Sequence, residues 1–182
     1  MINSSINIAN ILTIIRILLA PLMLWFLVDR NNSLLIYFHY SWLDYFAAFI
    51  FVVASITDFF DGFIARKYNQ ISTLGQILDP LADKMLMLAG FLGLLVLNRI
   101  DVFIIFLILS REFFITGLRI LAQNRNITIN SSFCAKTKTV VQMIAIGFLI
   151  MNWPYGTIIL YIALFLTLYS GYEYIKEFII KS

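Results

Sequence analysis

Charge is scarce in this chain, and cysteine is nearly absent. Aspartate, glutamate, lysine and arginine together make up 13% of its 182 residues, while hydrophobic residues make up 62%. Soluble domains carry roughly 25% charged and about 45–50% apolar residues, so a mean hydropathy of +0.92 excludes an ordinary soluble domain and indicates an integral membrane protein. The single cysteine, Cys134, excludes an intramolecular disulfide framework and is read as inert. A net charge of +3, thinly spread, gives no footing for nucleic acid. No secretory signal is expected, because Met1 to Asn10 lacks a basic region and the first apolar run is membrane-length. Linker-like tracts, low-complexity segments and internal repeats are missing too, so residues 1–182 read as one membrane-embedded domain. Any chemistry must then be done by membrane helices and their short connections.

What the chain does contain is six apolar segments of spanning length, about 17–25 residues each. They run from about Ile8 to Val28, Leu43 to Ala65, Asp79 to Leu97, Val102 to Leu121, Thr139 to Trp153 and Gly156 to Phe178. Pro21 should kink the first. Asn31-Asn32-Ser33, Asn98 to Asp101 and Asn152 to Gly156 read as tight turns. The expected fold is therefore an all-α, six-span bundle, with a short interfacial helix over Ile2 to Ile8 ahead of it.

Orientation follows from lysine and arginine. With the N-terminus in the cytoplasm, the inner side receives Arg66, Lys67, Lys84, Arg119, Arg125, Lys136, Lys138, Lys176 and Lys181, and the outer side only Arg30 and Arg99. That bias predicts both termini inside. Trp25, Trp42 and Trp153 then fall near the outer ends as an aromatic belt.

Against this apolar background stand four aspartates, Asp58, Asp61, Asp79 and Asp83, on the flanks of the second and third segments. An ionised side chain at membrane depth costs about 2.5 kcal/mol or more, so such a cluster points to function. Spacings of three and four put Asp58, Asp61, Gly62, Ala65 and Arg66 along one helix side, and Asp79 and Asp83 along another, with Gly75 expected in a polar loop between them. Asp79-Pro80 alone also reads as a helix N-cap followed by proline at the first helical position. That does not account for the other three. Four neighbouring carboxylates repel one another unless a cation neutralises them, and Mg²⁺ or Mn²⁺ suits hard oxygen ligands while also binding phosphate. Gly62, Ala65 and Gly75 either allow close helix packing or leave room for a nucleotide against the backbone.

The pattern Asp-x2-Asp-Gly-x2-Ala-Arg-x8-Gly-x3-Asp-x3-Asp runs from Asp58 to Asp83 without a departure. It resembles the signature of the CDP-alcohol phosphatidyltransferases. The resemblance implies a six-helix membrane fold, a homodimer, an active site open to the cytoplasmic leaflet, and transfer of a phosphatidyl group from CDP-diacylglycerol to an alcohol with release of CMP. It implies that Asp58, Asp61, Asp79 and Asp83 hold one or two divalent cations, Mg²⁺ or Mn²⁺, and that Asp83 is the general base. Asp58, Gly62, Ala65, Arg66 and Gly75 match positions that contact the CDP moiety. A cation on Asp83 would lower its basicity, which makes its role as ligand firmer than its role as base.

The acceptor must be read elsewhere. The fourth segment carries Arg111-Glu112-x3-Thr116-Gly117-Leu118-Arg119, and the fifth opens with Lys136-Thr137-Lys138-Thr139. Arg111 sits deep enough to need a partner, either Glu112 or an aspartate as a structural pair, or a ligand phosphate suited to its planar fork. Lys136 and Lys138 are either a positive-inside flank or part of a cationic pocket with Arg111 and Arg119 for an acceptor that is itself a phosphate ester. These residues, with Ser131-Ser132, Gln142 and the opening Asn7 to Arg16, resemble the branch of the family that makes phosphatidylglycerophosphate. Ile8-Ala9 stands where a proline is common, and Ala135 where that branch has glycine, in the loop expected to hold Lys136. The resemblance implies sn-glycerol 3-phosphate as acceptor, in anionic phospholipid synthesis at a bacterial cytoplasmic membrane. Serine, inositol phosphate or a second phospholipid are the alternative acceptors. A cation transporter is a different class of reading, disfavoured because the carboxylates gather at one interface and no inverted repeat is apparent.

The remaining polar residues suggest less. His39 is read as an interfacial side chain, Glu173 and Glu177 with Lys176 and Lys181 as a solvated helix end, and Gly90 and Gly93 as close-packing positions within or between protomers.

Overall fold

The computed structural model describes residues 8–30, 39–67, 73–125 and 133–181, with side chains described for all of these except residues 8–10, 58–67, 73–77, 79 and 80. The described chain is six helices: α1 (Ile8–Val28), α2 (Tyr40–Lys67), α3 (Thr73–Val96), α4 (Val102–Asn124), α5 (Phe133–Ile150) and α6 (Gly156–Lys181). Among the described residues there is no strand. Of the expected interfacial helix only Ile8 is described, and it opens α1. The turn at Asn31-Asn32-Ser33 lies outside the described residues.

Two sequence-based boundaries are corrected. The third helix opens at Thr73, so Asp79-Pro80 lies inside it and is not its N-cap, and Gly75 is helical instead of lying in a loop. The fifth opens at Phe133, so Ala135 and Lys136 sit in its first turn. In a low-dielectric surrounding an unpaired backbone group costs several kcal/mol, so helix continues wherever it can, and proline inside it is tolerated.

Four helices, over Ile11–Val28, Tyr40–Thr57, Phe133–Ile150 and Gly156–Lys181, are long and apolar enough to cross a membrane. The exceptions among the described residues are α3, with Asp79, Asp83 and Lys84, and α4, with Arg111, Glu112 and Arg119. Large apolar side chains are nonetheless exposed on all six, Phe103 at 76% and Phe133 at 83% among them. Exposed apolar surface on this scale suits lipid, not water.

The helices form two compact units, Met1–Arg99 with Ile150–Asn152, and Ile100–Leu149 with Trp153–Ser182. In the first, α1 packs on both α2 and α3. Thr13, Arg16, Ala20, Met23 and Leu27, spaced three and four apart, form its inner stripe, none more than 1% exposed. Small residues are buried on α2 (Ala47, Ala48 and Ala54) and on α3 (Ala82, Ala89 and Gly93), and Gly93 meets Leu27 of that stripe, which lets the backbones approach. Arg30, just past α1, and Arg99, just past α3, both donate to Asp44 near the start of α2, the latter at 2.7 Å. The end of α1, the start of α2 and the end of α3 therefore meet at one end of this unit. The end of α2 and the start of α3, where the acidic motif lies, share the other.

In the second unit α4 packs on α6, with Ile104, Ile108 and Ile115 buried on the one and Leu160, Ala163 and Gly171 on the other. Asp101 caps α4 by accepting from the Phe103 amide at 2.7 Å. Helices α3 and α5 both end with an asparagine in the left-handed region, Asn98 at φ 53° and Asn152 at φ 53°. The following amides reach back to Leu94 O and Phe148 O, each at 2.9 Å, closing Schellman motifs where tight turns are expected.

Candidate functional site

In the first unit the acidic motif is carried entirely on helix. Asp58, Asp61, Gly62, Ala65 and Arg66 lie in the last third of α2, and Gly75, Asp79 and Asp83 in the first half of α3. Residues 68–72 join the two, so the ends of α2 and α3 are at most about 21 Å apart along the chain. The side chains of Asp58, Asp61, Gly62, Ala65, Arg66, Gly75 and Asp79 lie outside the described residues. Asp83 is described: it is half-buried, and its Oδ1 is closed off from solvent. Among the described side chains no group of three or more His, Cys, Asp or Glu stands together. The donor set is nonetheless one of hard carboxylate oxygens on two adjoining helices, which fits Mg²⁺ or Mn²⁺ and not a soft or imidazole-seeking ion.

One residue of the opening stretch Asn7 to Arg16, given no role of its own by sequence reasoning, is conspicuous in the structure. Arg16 is fully buried on the inner stripe of α1. It lies eleven residues before Leu27, which touches Gly93, and α1 and α3 run the same way, so Arg16 stands level with the Ala82–Asp83 step of α3. The signal was its three- and four-residue spacing from Thr13 and Ala20.

In the second unit two of the four expected acceptor residues come together. Lys138, buried on α5, donates to Glu112 Oε1 on α4, and Arg111 Nη1 donates to the same oxygen at 3.2 Å. Arg111 Nη2 donates to Ser170 Oγ on α6 at 2.8 Å, while its Nε is enclosed with no hydrogen-bond partner. The structural pairing of Arg111 with Glu112 is thus present, and it is shared with Lys138.

Arg119 lies two turns further along α4, exposed, with its guanidinium 6.0 Å from the centre of the Tyr174 ring. Lys136 is exposed on α5. Two residues apart on a helix do not share a face, so Lys136 is not brought beside Lys138.

Sequence reasoning missed Ser170, Thr167, Gly171 and Tyr174, because small and hydroxyl side chains in an apolar helix carry no charge signal. It also took Glu173 as solvated, whereas Glu173 Oε2 is enclosed with no hydrogen-bond partner. Glu177 and Lys181 do form an exposed pair at 2.6 Å.

Comparison with known proteins returns a family model, CDP-alcohol phosphatidyltransferase, over residues 6–169. A protein of Rickettsia typhi named CDP-diacylglycerol--glycerol-3-phosphate 3-phosphatidyltransferase is 40% identical, covering 93% of this chain and 96% of its own. One of the same name from Bacillus subtilis is 30% identical, covering 94% of each. A Mycobacterium tuberculosis protein named probable phosphatidylglycerophosphate synthase is 34% identical, covering 94% of this chain and 81% of its own. With a family model spanning most of its length and relatives matched nearly end to end, this chain belongs to the CDP-alcohol phosphatidyltransferase family.

Proposed function

We propose that the chain, acting as one membrane-embedded domain over residues 1–182, transfers the phosphatidyl group of CDP-diacylglycerol to sn-glycerol 3-phosphate, giving phosphatidylglycerophosphate and CMP. The observation that carries this reading is the unbroken eight-position motif from Asp58 to Asp83, held on two helices joined at one end of their unit. Glycerol 3-phosphate as acceptor is supported by the names of the Rickettsia and Bacillus relatives and by the buried Lys138 beside the half-buried Arg111.

Asp58, Asp61, Asp79 and Asp83 would hold one or two divalent cations. When bound, such an ion neutralises charge on the pyrophosphate and on the departing CMP. Gly62, Ala65, Arg66 and Gly75, with Asp58, would seat the CDP moiety, the small residues allowing approach to the helix backbone. Asp83 would accept the proton of the acceptor hydroxyl as its oxygen attacks the phosphatidyl phosphorus. One O–P bond forms, the pyrophosphate P–O bond to CMP breaks, and the proton passes on to water. Arg111 and Lys138 would bind the acceptor's own phosphate, and the exposed Arg119 and Lys136 would add positive charge that draws it in.

The same reading takes all six helices as spans of a bacterial cytoplasmic membrane, with both termini and the active site on the cytoplasmic side, in a homodimer. In α3 and α4 the charges that set them apart from the other helices are then the site itself.

The experiment is CMP release from CDP-diacylglycerol by purified protein in detergent, with Mg²⁺ or Mn²⁺ and a panel of alcohols. Release with glycerol 3-phosphate, and not with glycerol, serine or inositol phosphate, is the expected result. Release with another alcohol moves the acceptor, and metal flux in proteoliposomes without CMP release would replace the enzyme reading with transport.

A further inference from the structure

We propose that Glu112 is a positioning residue for the acceptor phosphate, acting through Lys138 and Arg111; this rests on the acceptor reading given above. A single carboxylate oxygen, Glu112 Oε1, receives both cations. The two cations are the more enclosed partners, with side chains 10% and 7% exposed against 28% for Glu112. Two like charges so placed repel one another, and without the carboxylate each would swing to a separate position. With it, two cations and one anion leave a net charge of +1, so the group still attracts a phosphate while its donors are held.

The carboxylate is also one corner of a closed circuit over α4, α5 and α6. From Glu112 the path runs through Arg111 to Ser170 Oγ at 2.8 Å, and Ser170 Oγ donates to Thr167 O at 3.1 Å. Thr167 Oγ1 accepts from Gln142 Nε2 at 2.8 Å. Gln142 lies one turn after Lys138 on α5, and Lys138 returns to Glu112. Gly171 completes the seat: a β-carbon there would stand 3.0 Å from Arg111 Nε and 3.2 Å from its Cγ, so the arginine packs against α6 at a point where a side chain would push it aside. Arg111 is thereby fixed from two directions, by Glu112 and by Ser170, and Lys138 is held by Glu112. A phosphate bound by pre-placed donors loses less ordering free energy than one that must gather them.

A purely structural ion pair would raise both Michaelis constants or neither, whereas a positioning role separates them. The test is steady-state CMP release by Glu112→Gln and Ser170→Ala, varying glycerol 3-phosphate and CDP-diacylglycerol in turn. We expect KM for glycerol 3-phosphate to rise about tenfold in Glu112→Gln, the scale of one charged hydrogen bond, and a few-fold in Ser170→Ala, with KM for CDP-diacylglycerol within about twofold. In a background lacking both cations, Arg111→Met with Lys138→Met, adding Glu112→Gln should change KM by no more than about twofold, since Glu112 acts through those two residues. An unchanged acceptor KM, or equal rises in both constants, overturns the proposal, and Ser170→Ala decides it alone if Glu112→Gln does not fold. If wild-type protein releases CMP only with an alcohol that has no phosphate, the acceptor reading fails first. If it uses glycerol 3-phosphate and the variants match it, only the role of Glu112 fails.

Discussion

Gly93 lies so close against Leu27 that a β-carbon at residue 93 would stand 2.5 Å from the leucine Cδ1 and 2.9 Å from its Cβ. The second distance matters more, because Cβ cannot turn aside as a methyl can. Gly93→Ala should therefore force α1 and α3 apart and lower stability by about 1–3 kcal/mol, the usual cost of overpacking. Gly117, with nothing within 4 Å of its would-be β-carbon, is the control, and Gly117→Ala should be neutral or better. Thermal unfolding in detergent reads both.

Asp44 neutralises Arg30 and Arg99 together, with all three side chains no more than 16% exposed. Removing it leaves two enclosed guanidinium groups facing each other. Asp44→Ala should lower stability by about 3–5 kcal/mol. Chemical unfolding would show this, and an unchanged midpoint would mean the arginines find other partners.

Gln142 and Thr167 offer a different contrast. Thr167→Val removes the hydroxyl and leaves a buried amide without its acceptor, a loss of about 1–3 kcal/mol. Gln142→Leu with Thr167→Val removes both ends and should recover most of that loss. Unfolding midpoints of the single and double variants give the comparison directly.

For the acidic motif the expected outcome is loss of chemistry with the fold retained. Chelation should abolish CMP release, and added Mg²⁺ or Mn²⁺ should restore it. Asp61→Asn should cut turnover by about 100-fold or more, as expected when a metal that stabilises several kcal/mol of developing charge is lost. Asp83→Asn should do the same, and on the proposed mechanism it also removes the base.

Much of this architecture was readable from residue order. The first segment was bounded at Ile8 and Val28, and those are the ends of α1. The asparagine turns at Asn98 and Asn152 were legible because few other residues tolerate the left-handed backbone. The start of α3 was misread for a local reason: aspartate followed by proline is a sound helix start in water, and the low-dielectric setting that extends the helix back to Thr73 has no signature in that dipeptide. The Arg30–Asp44–Arg99 cluster and the Glu112–Lys138 contact join residues far apart in sequence, and spacing rules reach only one or two turns. Arg111 could be singled out as needing a partner, but its choice of Ser170 on α6 depends on Gly171, and glycine in an apolar helix reads only as small.

The circuit that ties Arg111 to Ser170 also bears on how the chain is made. Synthesis runs from α4 to α6, so Arg111 emerges well before the serine that receives it. A charged side chain at the centre of a span disfavours entry into lipid by about 2.5–3.5 kcal/mol. On the proposed six-span reading, α4 should therefore wait beside the insertion machinery until α6 follows, and a chain stopped before Gly156 should leave α4 outside the bilayer. The second unit is then assembled as a group of three, with its final helix admitting the first.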